Sequence, residues 1–415
     1  MPARLTKPAE HGLAHPALKC QCFSVQQRIV AAALPLLLMI ATPSSAQDGA
    51  FDVPAGDLAD LIGDGGVSIQ DGADSGGALR RFSQKWPSDL VVAPVPGRSP
   101  QVGWSLALGA GYFLDSGSEE NDVSPSILGG FAWFAENDSY AYGVGGNLHL
   151  FDDKMRVQFG AGYLDVRYDY YGIGDDNDLD IAIEVLQEAP LYYTSASWRI
   201  WRQLYVGLGY LGGKVDTSVD LGLDLPDITS PVVRLDMGAI TIPIVYDSRD
   251  HEQFPRNGWM ITGRQVLHRK DAGSDFNAET FMFSANKYVP VREGDVLAFR
   301  GYFRTTSSGA PFFVQSTFGG KSDLRGYPSG RFRDRMMYAL QGEYRWQFNN
   351  RWIFTGFAGF GEVAPDFDSF GEDVLPAVGV GARFVVSDKH RVALSFDVAT
   401  GQEGTEYYFG VGESF

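Results

Sequence analysis

From residue 340 to its end the sequence alternates with a period of two, which is what a β-strand with unlike faces requires. Leu340, Tyr344, Trp346 and Phe348 share a face with Gly342, while Gln341, Glu343, Arg345 and Gln347 share the other. Val378, Val380, Phe384 and Val386 oppose Gly379, Gly381 and Arg383. Val392, Leu394, Phe396 and Val398 oppose Arg391, Ser395 and Asp397. Residues 405–415 repeat the pattern and stop on an aromatic. Tyr407, Phe409, Val411 and Phe415 fall on one face, broken by Glu413, and Tyr408, Gly410, Gly412 and Ser414 on the other. Charges lie opposite the apolar side chains. Two closed forms satisfy such strands, a soluble barrel with its apolar faces inside or a membrane barrel with them outside.

The first 46 residues favour the second form. Arg4, Lys7, Lys19 and Arg28 make a basic leader, Ile29 to Ala41 is a short apolar run, and Ser44-Ser45-Ala46 offers a small-x-small cleavage site. Both cysteines, Cys20 and Cys22, precede the apolar run, so the mature chain is expected to have no disulfide and no cysteine-based metal site. Removing this leader takes away four basic residues and one acidic one, and the formal charge moves from −17 to −20. That balance argues against nucleic acid as a partner. Beyond the leader no apolar run reaches the roughly 18 residues of a transmembrane helix. An exported, glycine-rich, aromatic-rich chain without such a helix fits a bacterial outer-membrane barrel, whose signal per strand is weak.

Residues 47–100 are rich in Gly, Asp and Pro and read as a flexible periplasmic segment; the barrel is expected over 101–415. Sixteen strands can be laid out there. They run near 102–114, 126–136, 140–150, 155–170, 180–188, 191–201, 203–218, 231–246, 257–269, 276–289, 295–306, 336–348, 351–361, 374–386, 391–399 and 405–415. The fold class is thus all-β, a transmembrane antiparallel up-and-down barrel. Tight connections at 136–139, 202–203, 291–294, 349–350 and 387–390 fall on one side, as periplasmic turns should. Longer ones at 115–125, 219–230, 307–335 and 362–373 fall on the other. Trp104, Tyr140, Trp259, Tyr288, Trp346 and Trp352, near strand ends, read as interfacial girdles.

Two segments carry a family resemblance. Phe318-Gly-Gly-Lys-Ser-Asp-Leu-Arg-Gly-Tyr327 precedes the twelfth strand, and Tyr246-Asp-Ser-Arg-Asp-His-Glu-Gln-Phe-Pro-Arg-Asn-Gly-Trp259 joins the eighth to the ninth. With Glu343-Tyr-Arg345 and Gly412-Glu-Ser-Phe415 they resemble the barrel of the bacterial surface antigen family, whose superfamily includes the outer-membrane assembly factors BamA and TamA. The resemblance implies that Arg325, Gly326 and Tyr327 form the tip of a surface loop folded into the lumen. Glu343 and Asp397 are the inward carboxylates expected to receive Arg325. The family often carries an acid on the thirteenth strand, and Phe357-Ala-Gly-Phe-Gly361 has none. Asp247, Arg249, Asp250, Pro255 and Gly258 are expected to fix a periplasmic turn. Residues 47–100 are too few for the POTRA domain that assembly factors of the family carry, which is about 75 residues long by the family pattern.

No other motif carries chemistry. Asp175-Asp-Asn-Asp-Leu-Asp180 has alternate acids but lacks the glycine and distal glutamate of a calcium loop. His149, His251, His268 and His390 show no ligand spacing, and there is no nucleophile elbow or phosphate loop. No metal, no cofactor and no enzymatic activity are expected. The resemblance implies assembly of outer-membrane proteins or polypeptide translocation. The alternative is a passive or gated pore, or a structural surface antigen. Expected partners are outer-membrane lipid and lipopolysaccharide around a monomeric barrel, and client outer-membrane proteins under the assembly reading.

Overall fold

The computed structural model describes residues 90–99, 102–114, 126–170, 183–220, 232–251, 254–311, 314–320, 323–328, 330–387 and 392–415. The leader, residues 47–89 and the acidic run Asp175–Asp180 lie outside the described residues. Sixteen strands form one antiparallel sheet in chain order. The first eight are β1 (Leu90–Ser99), β2 (Gly103–Leu114), β3 (Ser126–Ala135), β4 (Tyr140–Leu150), β5 (Met155–Tyr170), β6 (Ile183–Trp201), β7 (Leu204–Asp220) and β8 (Val232–Asp247). There follow β9 (Gly258–His268), β10 (Ala278–Pro290) and β11 (Val296–Thr306). A small hairpin, β12 (Ser316–Phe318) with β13 (Phe332–Asp334), lies within the next connection. The sheet resumes with β14 (Met336–Gln347), β15 (Trp352–Ala364), β16 (Leu375–Ser387), β17 (Val392–Thr400) and β18 (Thr405–Val411).

The sheet curls until β18 lies beside β1. Every other neighbouring pair shares an antiparallel ladder, whereas none joins β1 to β18 among the described residues. Register carries one face through all the ladders from β4 to β18. Ala141 opposes Leu164, Leu164 opposes Ala189, Glu343 opposes Phe357, and Asp397 opposes Tyr408. That face is buried and lines the lumen. The opposite face exposes Leu208, Ile244, Phe299, Leu340, Phe354, Phe396 and Phe409. Side chains that a soluble barrel would hide are thus outside, and the inverted form is the observed one.

The sixteen strands are not all those read from the sequence. The segments 180–188 and 191–201 are one strand, β6, because Val185, Gln187, Ala189, Leu191 and Tyr193 keep a single buried alternation through Pro190. Proline has no N–H to donate, and here it interrupts only one side: the ladder to β7 skips from Glu188 to Leu191, while Tyr163 of β5 still opposes Pro190. The count is restored by β1, which begins at Leu90, inside the segment expected to precede the barrel. With a strand added before it, the turn at 136–139 moves to the same end as the long 307–335 connection, contrary to the sequence reading. We call this the loop end; 151–154, 202–203, 248–257, 291–295 and 348–351 share the opposite, turn end.

Strand length changes around the barrel. β6 has 19 residues and β18 has 7; at roughly 3.3 Å per residue β6 runs about 60 Å, well beyond a 25 Å apolar band. Its outward side chains show where the band stops. Trp198, Ile200 and Tyr192 are exposed and apolar, and Glu188 and Glu184 follow toward the loop end. β7 and β8 repeat the change, from Leu208 to Lys214 and from Ile240 to Asp236 and Arg234. Along this projecting part the inner face carries Val185, Ala189, Val215 and Met237, which form one apolar cluster with Val314 of the long connection.

Candidate functional site

The 307–335 connection brings its tip back into the lumen. Leu324, Tyr327 and Phe332 cluster with Tyr302, Met337, Ala339, Val363, Leu375 and Ala377 on the inner wall. Tyr327 meets Phe332 edge-on at 5.6 Å, its hydroxyl donates to the Pro376 carbonyl at 2.7 Å, and it accepts from the Gln402 amide at 3.2 Å. Gly326 adopts φ +116° and its amide donates to the Tyr408 hydroxyl at 2.9 Å. A Cβ at this position would come within 3.1 Å of Ala377 Cβ and of the Gly401 amide nitrogen, so both backbone angle and space require glycine.

This seat aims Arg325 at four groups on the wall. Nη2 donates to Glu343 Oε2 at 2.6 Å, Nη1 to Asp397 Oδ2 and to Ser414 Oγ at 2.9 Å each, and Nε to Gln341 Oε1 at 3.2 Å. The guanidinium carbon lies 3.3 Å from the centre of the Phe357 ring. The position where the family often has an acid is therefore an aromatic face under the cation. Glu362, an acid farther along β15, instead accepts the amides of Gly371, Glu372 and Asp373 and fixes the 365–374 loop.

The partners of Arg325 are themselves bridged. Arg383 donates to Asp397 Oδ1 at 2.5 Å and to Glu413 Oε2 at 2.9 Å. Arg345 donates to Glu343 Oε1 at 2.8 Å and to the Phe415 carbonyl at 2.6 Å. Three arginines thus face three side-chain carboxylates, Glu343, Asp397 and Glu413, in one buried cluster. A buried ion is tolerable only when paired and hydrogen-bonded, and removing one partner strands the rest. The cluster ties the loop tip to β14, β15, β16, β17 and the residues after β18.

Those last residues depart from expectation. β18 ends at Val411, Gly412 turns the chain at φ +73°, and Gly412–Phe415 enters the lumen. Phe415 is 4% exposed and packs with Tyr288, Val296 and Ala298, so it is not on the outer face with Tyr407 and Phe409. Tyr288 is likewise inside and not a girdle residue. Glu413, which broke the outward pattern, does so because the strand has already finished.

Residues 236–415 match the Omp85 superfamily domain. The fold is similar to BamA from Haemophilus ducreyi, a structure lacking POTRA domains 1-3, with TM-score 0.54 and 15% identity over 78% of this chain and 70% of that one. It is also similar to CdiB from Escherichia coli, TM-score 0.54 and 12% identity over 79% of this chain and 62% of that one. CdiB from Acinetobacter baumannii gives TM-score 0.51 and 11% identity over 77% and 58%. The chain spans less than two thirds of either CdiB. At these identities the likeness is one of fold. No curated protein matches the chain.

The matched region also contains the second sequence motif, which the structure places at the turn end, away from Arg325. Asp247 takes Arg249 in a two-point pair at 2.9 and 2.7 Å. Asp250 Oδ1 accepts the amides of Arg256 and Asn257 at 2.9 and 3.1 Å. Gly258, at φ +114°, packs so tightly on Ser248 that a Cβ would lie 2.2 Å from its carbonyl oxygen. The turn is braced from within, and Pro255 is buried. Tyr407 and Phe409 in the matched region face outward, 46% and 40% exposed, with the Phe409 ring tilted against Phe396 at 4.8 Å. Among the described residues no cluster of three or more His, Cys, Asp or Glu is arranged for a metal.

Proposed function

We propose that this chain is an outer-membrane barrel that assists assembly or translocation of polypeptides, with the β1–β18 seam as its working edge. The observation that carries this reading is the seam itself: among the described residues β1 lies beside β18 without a ladder, while every other neighbour is hydrogen-bonded. A strand edge with unpaired N–H and C=O groups templates an added strand, and a membrane interior makes that pairing strongly favourable. The two edges are held unequally. β18 is fastened to the loop tip through Tyr408, and its neighbour β17 through Asp397. β1, Leu90–Ser99, is fastened by its ladder to β2. An incoming strand therefore displaces β1.

A set of cysteine pairs, one in Val91–Val95 and one in Thr405–Phe409, tests this. A seam lock should deplete barrel proteins from the outer membrane of a strain relying on this gene, and reductant should restore them. A locked protein that sustains a normal outer-membrane proteome would refute the seam. The pore reading requires the buried tip at Arg325 to leave the lumen, and conductance tests it separately.

A further inference from the structure

Beside the braced turn at 248–257 lies a cavity away from the seam, which shares Arg345 and Glu413 with the ionic cluster. It has a volume of 370 Å³ and is walled by Phe254, Arg256, Ile353, Val385, Arg345 and Glu413. Arg256 is its distinguishing group. The Arg256 amide donates to Asp250 and its Nη2 to Gln347 Oε1, and it has no carboxylate partner among the described residues. Arg345 contributes a second guanidinium. Glu413 is shared between Arg383 and Arg345, and its Oε1 has no hydrogen-bond partner although the side chain is 3% exposed. Among the described residues the cavity thus combines a guanidinium without a carboxylate partner, one spare buried acceptor and an apolar wall.

We infer that this cavity binds an acidic residue of an extended polypeptide entering from the turn end. The carboxylate pairs with Arg256, a neighbouring amide N–H donates to Glu413 Oε1, and the adjoining apolar side chain lies on Phe254, Ile353 and Val385. Size favours a side chain together with its neighbours, since the 370 Å³ space exceeds what a lone carboxylate fills. Charge selects it too, since a guanidinium offers a planar two-point donor to a carboxylate. The turn motif then has a purpose beyond reversing the chain: its internal hydrogen bonds hold Arg256 over the opening. The inference rests on the polypeptide-handling reading above and names where a client is first held.

The test uses the full mature chain in detergent and fluorescence anisotropy with labelled hexapeptides of alternating valine and phenylalanine carrying one central glutamate, glutamine or lysine. The glutamate peptide should bind at least tenfold tighter than the glutamine one. Arg256→Gln should erase that preference, and Arg256→Glu should transfer it to the lysine peptide, which a misfolded variant cannot do. Equal binding of the glutamate and glutamine peptides, or a preference unchanged in both variants, overturns the inference. Full competition by millimolar acetate overturns it in favour of a small-anion site, and competition by anionic lipid micelles alone in favour of a lipid site. Failure here with a seam lock that still depletes barrel proteins spares the assembly reading. A clear peptide preference beside an ineffective lock does the reverse.

Discussion

The two sides of this barrel fill the same lumen by opposite means. From β5 to β8 the strands are 16 to 19 residues long and their inner face is apolar toward the loop end. From β14 to β18 they are 7 to 13 residues long and surround the Arg325 cluster. The apolar side is the part that projects beyond the band of outward apolar residues, where water on the outside restores the ordinary arrangement of a soluble sheet. The ionic side lies inside that band, where lipid takes the apolar face and polar groups are left to the interior. Polarity at each position follows from what touches the other face of the strand. The Omp85 match begins at residue 236 and covers all of the ionic side. Apolar contacts are non-directional and tolerate repacking, whereas an arginine with four partners fixes one geometry.

The comparison breaks most sharply at Arg325. Arg325→Ala leaves Glu343 and Asp397 buried with one cation fewer each, and is expected to cost about 3–5 kcal/mol in urea unfolding. Single-channel conductance should rise with it as the tip loses its anchor. Arg325→Lys should recover part of the stability only, since one ammonium cannot serve four directions. Unchanged conductance in the alanine variant would show that Tyr327 and its apolar neighbours hold the tip alone. The lipid face should not distinguish the two sides. Leu208→Arg on β7 and Leu340→Arg on β14, both exposed to the membrane, are each expected to cost about 2–4 kcal/mol. A large difference between them would place one outside the apolar band.

Val185→Ala probes the apolar side. It removes two buried methyl groups from a residue 1% exposed, for about 1.6 kcal/mol at ~0.8 per group, and conductance should not move. Conductance rising as it does for Arg325→Ala would erase the contrast between the sides.

Much of the ionic side was legible in the sequence. Glu343, Arg345, Arg383 and Asp397 alternate against long apolar side chains, and period two assigns each to the inner face. Glu413 was not, because alternation was carried past the real end of β18; an acid in an otherwise outward apolar register is the signal that the strand has stopped. Phe357 under Arg325 had no signal at all, since an inward aromatic between Gly356 and Ala358 looks like any other wall residue. On the apolar side the pattern misled. Pro190 resembles a turn because a proline removes a ladder bond, and only the pairing partners show that one side can spare it. β1 was hidden by its prolines and glycine, Pro94, Pro96 and Gly97, which depress strand propensity at an edge where pairing is needed on one side only.

The smallest expected effect belongs to the turn at 151–154, below the apolar side. Asp153 takes Arg156 at 2.7 Å through both oxygens, Tyr205 at 2.5 Å and His149 at 3.1 Å. Burial opposes its ionisation, but the hydrogen bonds from His149 and Arg156 and the charge of Arg156 outweigh it and hold the carboxyl well below its ordinary value of 3.8. A depressed folded value means that the unfolded chain takes up the proton first. The contribution of Asp153 to stability is therefore complete above the ordinary value and is lost as pH falls below it toward the folded one. Asp153→Asn should lower the urea midpoint at pH 7 and narrow the gap to the parent protein as the pH is lowered from 5 to 3. A gap that stays constant across that range would show that the turn is held by the shape of its hydrogen bonds and not by the charge.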